Sequence, residues 1–338
     1  MRKIMIIGSA FRDYNSAIER SFQKLGMVTS VYSSKLMGIN RFALLTRIKR
    51  KLGFDVSSYY SRLRDKHSKR IIKQFDKFNP DCVFVRLGNM MTEDAVRYLK
   101  GKAKVVLYLT DPISKIPEIL SSLRYYDAVY TYETTDVETI RQYTECEVKT
   151  MFGLFDESVF RPLNCKKTID VYFVGAMYRF RVETIINLIN DFPDLTFRID
   201  GSFAMFPDSK QLLKRSGPRV KKCFSKRNIS DTNANLQYNK SRLCLNLQHP
   251  QTKDGWNSRL TEILGSGSFE IVTANPSVCK SFGSVLRTYS DYQELKEAIA
   301  YYFSNEEDCV RIARAGYERA LEQYTYSKAF QDILSEIQ

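Results

Sequence analysis

The sequence predicts an α/β protein of two doubly wound halves, each a parallel sheet with helices on its faces, and three observations carry that expectation. Short apolar runs of strand length alternate with amphipathic stretches of helix length along nearly the whole chain. The alternation is interrupted by a polar, proline-closed segment, GLFDESVFRPLN at residues 153–164, which reads as an inter-domain connection. The chain has 338 residues, 43% of them hydrophobic and 27% charged, enough for two cores of ordinary size.

The elements follow in order. RKIMIIG (2–8) is a buried strand ending in glycine, and residues 15–25 form a helix with Ile18, Phe22 and Leu25 on one face and Gly26 as its stop. VTSVYS returns as a strand, which makes the opening of a doubly wound sheet whose ligands sit at the carboxyl ends of the strands. A helix near 62–77, a strand at 82–88, a helix at 92–100 and a strand at 104–111 continue the pattern. A helix at 115–124, a strand at 128–132, a helix at 134–143 and the short strand VKTMF complete the first half. The second half runs through IDVYFVG (169–175), a helix at 179–190, LTFRIDG (195–201), a basic irregular stretch, a helix at 230–240 and RLCLNLQ (242–248). A helix at about 257–265, the strand FEIVT, and helices at 291–303 and 305–322 finish it. No internal repeat or low-complexity segment is visible.

Composition narrows the function. Seven cysteines stand singly with no C-x-x-C pair, and there are only two histidines, so neither a disulfide framework nor a Cys/His zinc site is suggested and a reduced, cytoplasmic setting fits best. MRKIMIIG is too short in its apolar run to be a signal peptide, and no stretch approaches a membrane span. A net charge of +14 implies an anionic partner: nucleotide phosphates, an acidic bilayer or nucleic acid. The charge is uneven, with eleven Lys/Arg against two Asp in residues 41–73 and eight Lys/Arg with no acid in residues 209–227. Within the first patch, RFALLTRIKRKL (41–52) puts Phe42, Leu45, Ile48 and Leu52 on one helical face, with Arg41, Arg47, Lys49, Arg50 and Lys51 around the flanks and back. Such a basic amphipathic helix suits an anionic membrane surface, or packs on its own domain with a solvated basic side.

The most informative segment is DGWNSRLTEILGSGSFEIVT, residues 254–273, with acids at 254 and 262 and a glycine-rich turn between a helix and a buried strand. An ionised carboxylate accepts two hydrogen bonds and suits a vicinal diol, which makes Glu262 a candidate for ribose hydroxyls. Backbone amides of Gly265, Ser266, Gly267 and Ser268 are candidates for phosphate oxygens, and Arg259 for a bidentate clamp on the same group. Gly175 ends the first strand of the second half, where a helix amino terminus with Arg179, or in second place Arg181, can face a diphosphate. Gly201 and His249 end two further strands at the same, ligand-facing side. In the first half, Asp111 ends a strand ahead of Pro112 and is read either as a base or orienting group for an acceptor hydroxyl or as a helix cap. Asp13 on the first loop is its rival, and Ser9, Arg12 and Asn15 are candidate acceptor contacts.

The Asp254-x7-Glu262 spacing followed by a small-residue turn resembles the donor site of the retaining GT-B glycosyltransferases. VYFVGAMYRFR, NKSRLCLNLQHP, NSRLTEILGSGSF and the tail YSDYQELKEAIAYYFSNEEDCVRIARAGYERALEQYTYSKAFQDIL are similar to the CgeB-like, spore-maturation-type members of that group, over residues 169–334. The resemblance implies the GT-B fold: two Rossmann-like domains facing across a cleft, with the C-terminal helix crossing back to the N-domain. It implies an acceptor domain at 1–155, a linker at 156–168, a donor domain at 169–320 and a final helix at 321–338. Asp254 would lie by the transferred sugar, Glu262 on the ribose, and Asn257 within the N-x-R-x-x-E-I-L motif. The co-substrate would be a sugar nucleotide, a UDP-sugar favoured. The acceptor would be a glycan or lipid-linked glycan, no metal cofactor would be needed, and retention would be slightly favoured. Aspartate at 254, where many relatives carry glutamate, and the G-S-G-S turn depart from the pattern, and the shorter acid implies a weaker or indirect sugar contact.

Two other classes share some of these features. A sugar-nucleotide epimerase or hydrolase would use the same fold without an acceptor. Nucleic-acid binding is prompted by the charge and the 21 Tyr, 21 Phe and one Trp, but most of these aromatics fall in strands and helices, where core packing accounts for them.

Overall fold

The computed structural model describes residues 2–10, 14–34 and 57–336. The candidates Arg12 and Asp13 and the basic stretch 41–52 lie outside the described residues. In chain order the elements are β1 (Lys3–Ser9), α1 (Tyr14–Lys24), β2 (Val28–Ser34), α2 (Ser57–Phe78), β3 (Cys82–Arg86), α3 (Glu93–Lys100), β4 (Lys104–Leu109), β5 (Ala128–Thr131), α4 (Val137–Arg141) and β6 (Glu147–Thr150). They continue with β7 (Ile169–Val174), α5 (Arg179–Asp191), β8 (Phe197–Asp200), α6 (Pro207–Arg215), α7 (Pro218–Cys223), α8 (Asp231–Lys240), β9 (Ser241–Asn246), α9 (Ser258–Gly265) and β10 (Glu270–Thr273). The last elements are α10 (Pro276–Phe282), β11 (Arg287–Tyr289), α11 (Tyr292–Ser304), α12 (Glu306–Gln323) and α13 (Tyr326–Glu336).

The chain divides into two compact units. The first comprises Met1–Gly153, Gln251–Gly255 and Tyr326–Gln338; the second comprises Leu154–Pro250 and Trp256–Thr325. Each is a Rossmann-like α/β unit around one parallel sheet.

The first unit's sheet has the order β2-β1-β3-β4-β5-β6, every neighbouring pair parallel. Parallel strands with helices on their faces are buried on both sides, which is why KIMIIG, CVFVR and VVLYL read as continuous apolar runs. Order reverses between β1 and β3, so the ligand-facing crevice of this unit opens beside Ser9 and Arg86. The C-terminal α13 belongs to this unit. Its Phe330 is fully buried, stacks on Phe22 of α1 at 4.3 Å and meets Phe84 of β3 edge-on at 5.1 Å.

The second unit's sheet has the order β11-β10-β9-β7-β8, again parallel throughout, and reverses between β7 and β9. Leu243 and Leu245 of β9 and Leu247 just after it face a core shared with Val182, Ile185 and Leu188 of α5. The alternate residues Cys244, Asn246 and Gln248 are also buried and polar or small, so β9 presents a polar edge to the interior.

Three sequence expectations are corrected. The helix expected at 115–124 is 3₁₀ in character, Ile113–Lys115 and Pro117–Tyr125, because Pro117 cannot donate into an α-helical ladder begun upstream. The helix expected at 134–143 divides into a 3₁₀ turn, Thr134–Asp136, and the short α4. The basic stretch after β8 is not irregular but forms α6 and α7, each started by a proline at its first position and each burying an apolar residue, Leu213 and Val220.

Truncating Phe330 to alanine removes both ring contacts and leaves a cavity between α1, α13 and the sheet. Phe330→Ala is expected to destabilise the protein by about 3–5 kcal/mol, measured as a lowered midpoint in urea unfolding; a change within error would show that α13 contributes nothing to the first core.

Candidate active site

In the second unit the strand order reverses between β7 and β9, and Arg181 spans that point. It lies in the first turn of α5, is 3% exposed, and donates from Nε to the Leu247 carbonyl at 2.7 Å and from Nη1 to the Ala176 carbonyl at 3.1 Å. Its guanidinium also lies over the rings of Tyr178 and Phe180, at 5.2 and 5.5 Å. Burial, and then the charge of Arg259, bring its pKa down to about 9. It therefore keeps its proton at neutral pH at a cost, and an anion in contact would remove that cost. Tyr178, the residue preceding α5, provides no side-chain cap, so the helix amino terminus adds its partial positive charge to the same place. Arg179, preferred from sequence, instead points outward in an exposed pair with Glu183 at 2.7 Å. The reading is corrected to Arg181: two residues along a helix turn a side chain by about 200°, and only Arg181 faces the switch point.

Gly175 and Gly201 are explained by close approach. A Cβ on Gly175 would sit 2.9 Å from Nη2 of Arg259, and one on Gly201 would sit 2.1 Å from the Gly175 carbonyl oxygen. Gly201 thus lets the β8 loop pack on the β7 loop, and Gly175 makes room for the Arg259 guanidinium. His249 packs at 4.3 Å, tilted, against Tyr178, which also meets Phe206 at 4.8 Å, so the sheet end carries an aromatic group beside Arg181.

Helix α9 opens on Asn257, whose Oδ1 accepts from the Arg259 amide at 3.0 Å; this side chain serves as a helix cap. Arg259, a turn inside, points to the β7 loop, and its Nε is buried without a partner. Glu262 is 2% exposed, so it is not an ordinary solvated helix residue. Glu270 of β10 is buried with both carboxylate oxygens unpartnered, beside the Asn246 amide, whose influence on it opposes that of burial. Burial chiefly, with a smaller push from Glu262, raises its pKa well above the usual carboxylate range, against the opposing charge of Arg259. Gln248 at the end of β9 likewise has both amide atoms buried and unpartnered. Asn246, Gln248 and Glu270 were not singled out from sequence. The signal was present in RLCLNLQ, where polar residues alternate with leucines, a pattern that ordinarily places the polar side in solvent.

The glycine-rich turn is corrected. Ser268 N donates to Ile263 O at 3.3 Å and Gly267 N to Leu264 O at 2.8 Å, with Gly267 at φ 67°, which is a Schellman cap on α9. Ser266 N is spent on Glu262 and Ile263, its hydroxyl on Asn235 at 2.6 Å, and a Cβ on Gly265 would lie 2.3 Å from the Phe155 ring. The turn stands before β10, at the amino ends of the strands, so Gly265, Ser266, Gly267 and Ser268 terminate and pack a helix and do not cradle phosphate.

In the first unit, Asp254 is held by a loop that the sequence assigned to the other half. Buried Glu133, after β5, accepts the amides of Lys253 and Asp254, both at 2.8 Å, and the Asp254 carboxylate accepts the Thr134 hydroxyl at 2.5 Å. Gly255 completes the clamp: a Cβ there would be 2.1 Å from the Tyr132 carbonyl oxygen. Asp254 therefore belongs structurally with Asp111, at the ends of the adjacent strands β5 and β4. Asp111 is not the local cap; the Ile113 amide goes to Asp136 at 2.7 Å. Burial raises its pKa, against the nearby charges of Arg86 and Lys115. Ser9 receives two bonds from Arg86, 2.7 Å to its carbonyl and 2.8 Å to its hydroxyl, and Asn15 donates to the Ser9 carbonyl at 3.1 Å and to Ser33 at 2.7 Å. Ser9 and Asn15 thus shape the crevice through each other, with Arg86 as the buried cation between.

Residues 180–335 match the model of a family described as glycosyl transferase-like. No curated protein matches the chain. Among solved structures, the fold is similar to sucrose-phosphate synthase from Thermosynechococcus elongatus, with a TM-score of 0.75 at 10% identity over 99% of each chain. It is similar to a UDP-forming α,α-trehalose-phosphate synthase from Burkholderia xenovorans, with a TM-score of 0.73 at 12% identity over 100% of this chain and 99% of that one. HepE from Anabaena, in complex with UDP and glucose, matches with a TM-score of 0.64 at 10% identity over 99% and 100%. The two units have the fold of the GT-B glycosyltransferases, and the glycosyl transferase-like match lies in the second half of the chain and the final helix.

The raised pKa of Glu270 has a signed consequence. The native state holds this proton at pH values where the unfolded chain, with a pKa near 4.5, has lost it, so stability falls as pH rises above 4.5. Glu270→Gln is expected to match the parent near pH 4 and to melt higher at pH 7, read as Tm across a pH series; a gain equal at both pH values would refute the buried neutral acid.

Proposed function

We propose that the protein transfers a sugar from a nucleoside diphosphate, UDP favoured, to a hydroxyl of a glycan or lipid-linked glycan acceptor. The observation that carries the reading is the pair Arg181 and Arg259 at the reversal point of the second sheet, beside an uncapped helix amino terminus. Two guanidiniums whose charges oppose each other, with Nε of Arg259 unpartnered, form a site electrostatically complementary to a diphosphate. Glu262 would accept the ribose hydroxyls, and the ring group of Tyr178 and His249 would border the base. The match to a UDP-forming synthase and to a UDP complex supports uracil as that base.

In the reaction the anomeric carbon–oxygen bond to the diphosphate breaks and a bond to the acceptor oxygen forms. The hydroxyl proton passes to a carboxylate or to the departing diphosphate. Arg181 and Arg259 neutralise the charge that develops on the leaving group, and this is why no metal is invoked. Asp111, with its raised pKa and no capping duty, is the group for the acceptor hydroxyl, while Asp254 borders the transferred sugar. The acid-x7-acid spacing, through its resemblance to the retaining GT-B glycosyltransferases, slightly favours retention of configuration. Contact of residues 41–52 with an anionic membrane would bring the enzyme to a lipid-linked acceptor.

A thermal-shift panel of nucleoside diphosphates tests the donor site, because a ligand that binds only the native state raises its melting temperature. UDP is expected to raise Tm. Arg259→Met is expected to melt higher than the parent without ligand, by relief of repulsion on Arg181, and to lose the UDP shift. No shift with any nucleoside diphosphate would sink the proposal. For the acceptor side, Asp111→Asn is expected to lower kcat by about 10²–10⁴-fold while the UDP shift persists; unchanged kcat would remove Asp111 from the chemistry.

A further inference from the structure

The second unit contains a cavity of about 300 Å³ that the donor site does not use. It is lined by Arg242 and Leu243 at the start of β9, by Gly267 and Phe269 just before β10, and by α11 and α12. It therefore lies at the amino ends of the strands, the opposite end from Arg181 and Gly175. Its size is at the low end of small-molecule sites, and its walls are mainly apolar and aromatic, with Phe269, Tyr302, Phe303 and Tyr317 contributing rings. Val310, 64% exposed, adds an apolar side chain on the solvent side.

The ionic lining is three cations, Lys167, Arg242 and Arg314, against one carboxylate, Glu306. Arg242 is poorly used by the protein itself. Its guanidinium lies 4.6 Å over the Phe303 ring, while its carboxylate contacts, Asp170 at 3.5 Å and Glu306 at 3.8 Å, are both long. Lys167 is exposed and, among the described residues, makes no ion pair. Arg314 is largely exposed and shares its charge with Glu318 at 3.0 Å. An apolar interior with a cationic rim suits one kind of ligand, a hydrocarbon chain that ends in an anion.

We propose that this cavity binds the acyl chain of a long-chain carboxylate, with the chain against the aromatic walls and the carboxylate at Arg242 and Lys167. The test uses the full chain, dodecanoate below its micellar concentration, and neutral dodecanol as a headgroup control, followed by isothermal titration calorimetry. Dodecanoate is expected to bind saturably, one per chain and about tenfold tighter than dodecanol, as loss of one charge-assisted contact implies. The double variant Lys167→Gln/Arg242→Gln should erase that preference, and Val310→Asp, at an exposed position that leaves the fold intact, should weaken dodecanoate by repulsion. Saturating UDP should not displace it, which separates this site from the donor site. Equal affinity for dodecanoate and dodecanol, binding unmoved by both variants, displacement by UDP, or binding to phosphatidylglycerol vesicles without binding to dodecanoate would each overturn the proposal. So would a dimer, seen in sedimentation velocity, that Val310→Asp dissociates and dodecanoate leaves intact.

Discussion

The second unit is organised by the burial of one positive charge. Arg181 donates to carbonyls of two loops that leave the sheet on either side of its reversal point, so it ties β7 to β9 where the topology alone would leave a gap. Neutral carbonyls satisfy its hydrogen bonds but not its charge, and Arg259 adds a second guanidinium over Gly175. A fold that tolerates this arrangement is less stable than one with apolar side chains there, and an anion in contact would offset that deficit.

Helix α9 connects the two ends of that unit. Its first turn carries the cap Asn257 and the clamp Arg259; its middle carries buried Glu262; its last turn is closed by the Schellman hydrogen bonds of Gly267 and Ser268. The helix is short, and packing of Gly265 on Phe155 and of Ser266 on Asn235 fixes its position along the sheet. The glycines that look like a ligand loop are therefore what hold Arg259 and Glu262 in register.

In the first unit the equivalent part is played by Glu133. By accepting two successive amides it draws residues 251–255 onto the end of β5 and places Asp254 among the carboxylates of that unit. Asp136 similarly takes over the Ile113 amide and leaves Asp111 uncommitted to the backbone. Neither Glu133 nor Asp136 has a motif around it; each acts through a contact distant in sequence.

Most of the strand and helix order and the parallel character of both sheets were legible in the sequence, because apolar run length and helical periodicity are local and the central strands are buried on both faces; α10 and the short edge strand β11, only half-buried, were missed. The placement of Gly175 at a strand end and of Arg259 and Glu262 on one short helix was legible too, since each follows from a local pattern. Tertiary structure decided the rest. Whether Arg179 or Arg181 turns inward depends on the helix phase set by packing. Whether Gly265–Ser268 offers or consumes its amides depends on which end of the sheet it occupies. The unit that holds Asp254 depends on Glu133, some 120 residues away. Sequence determined which charged and small residues stand at the ends of strands and helices; only the fold decided which of them face the same point, because direction and burial are properties of contacts between segments and not of any segment alone.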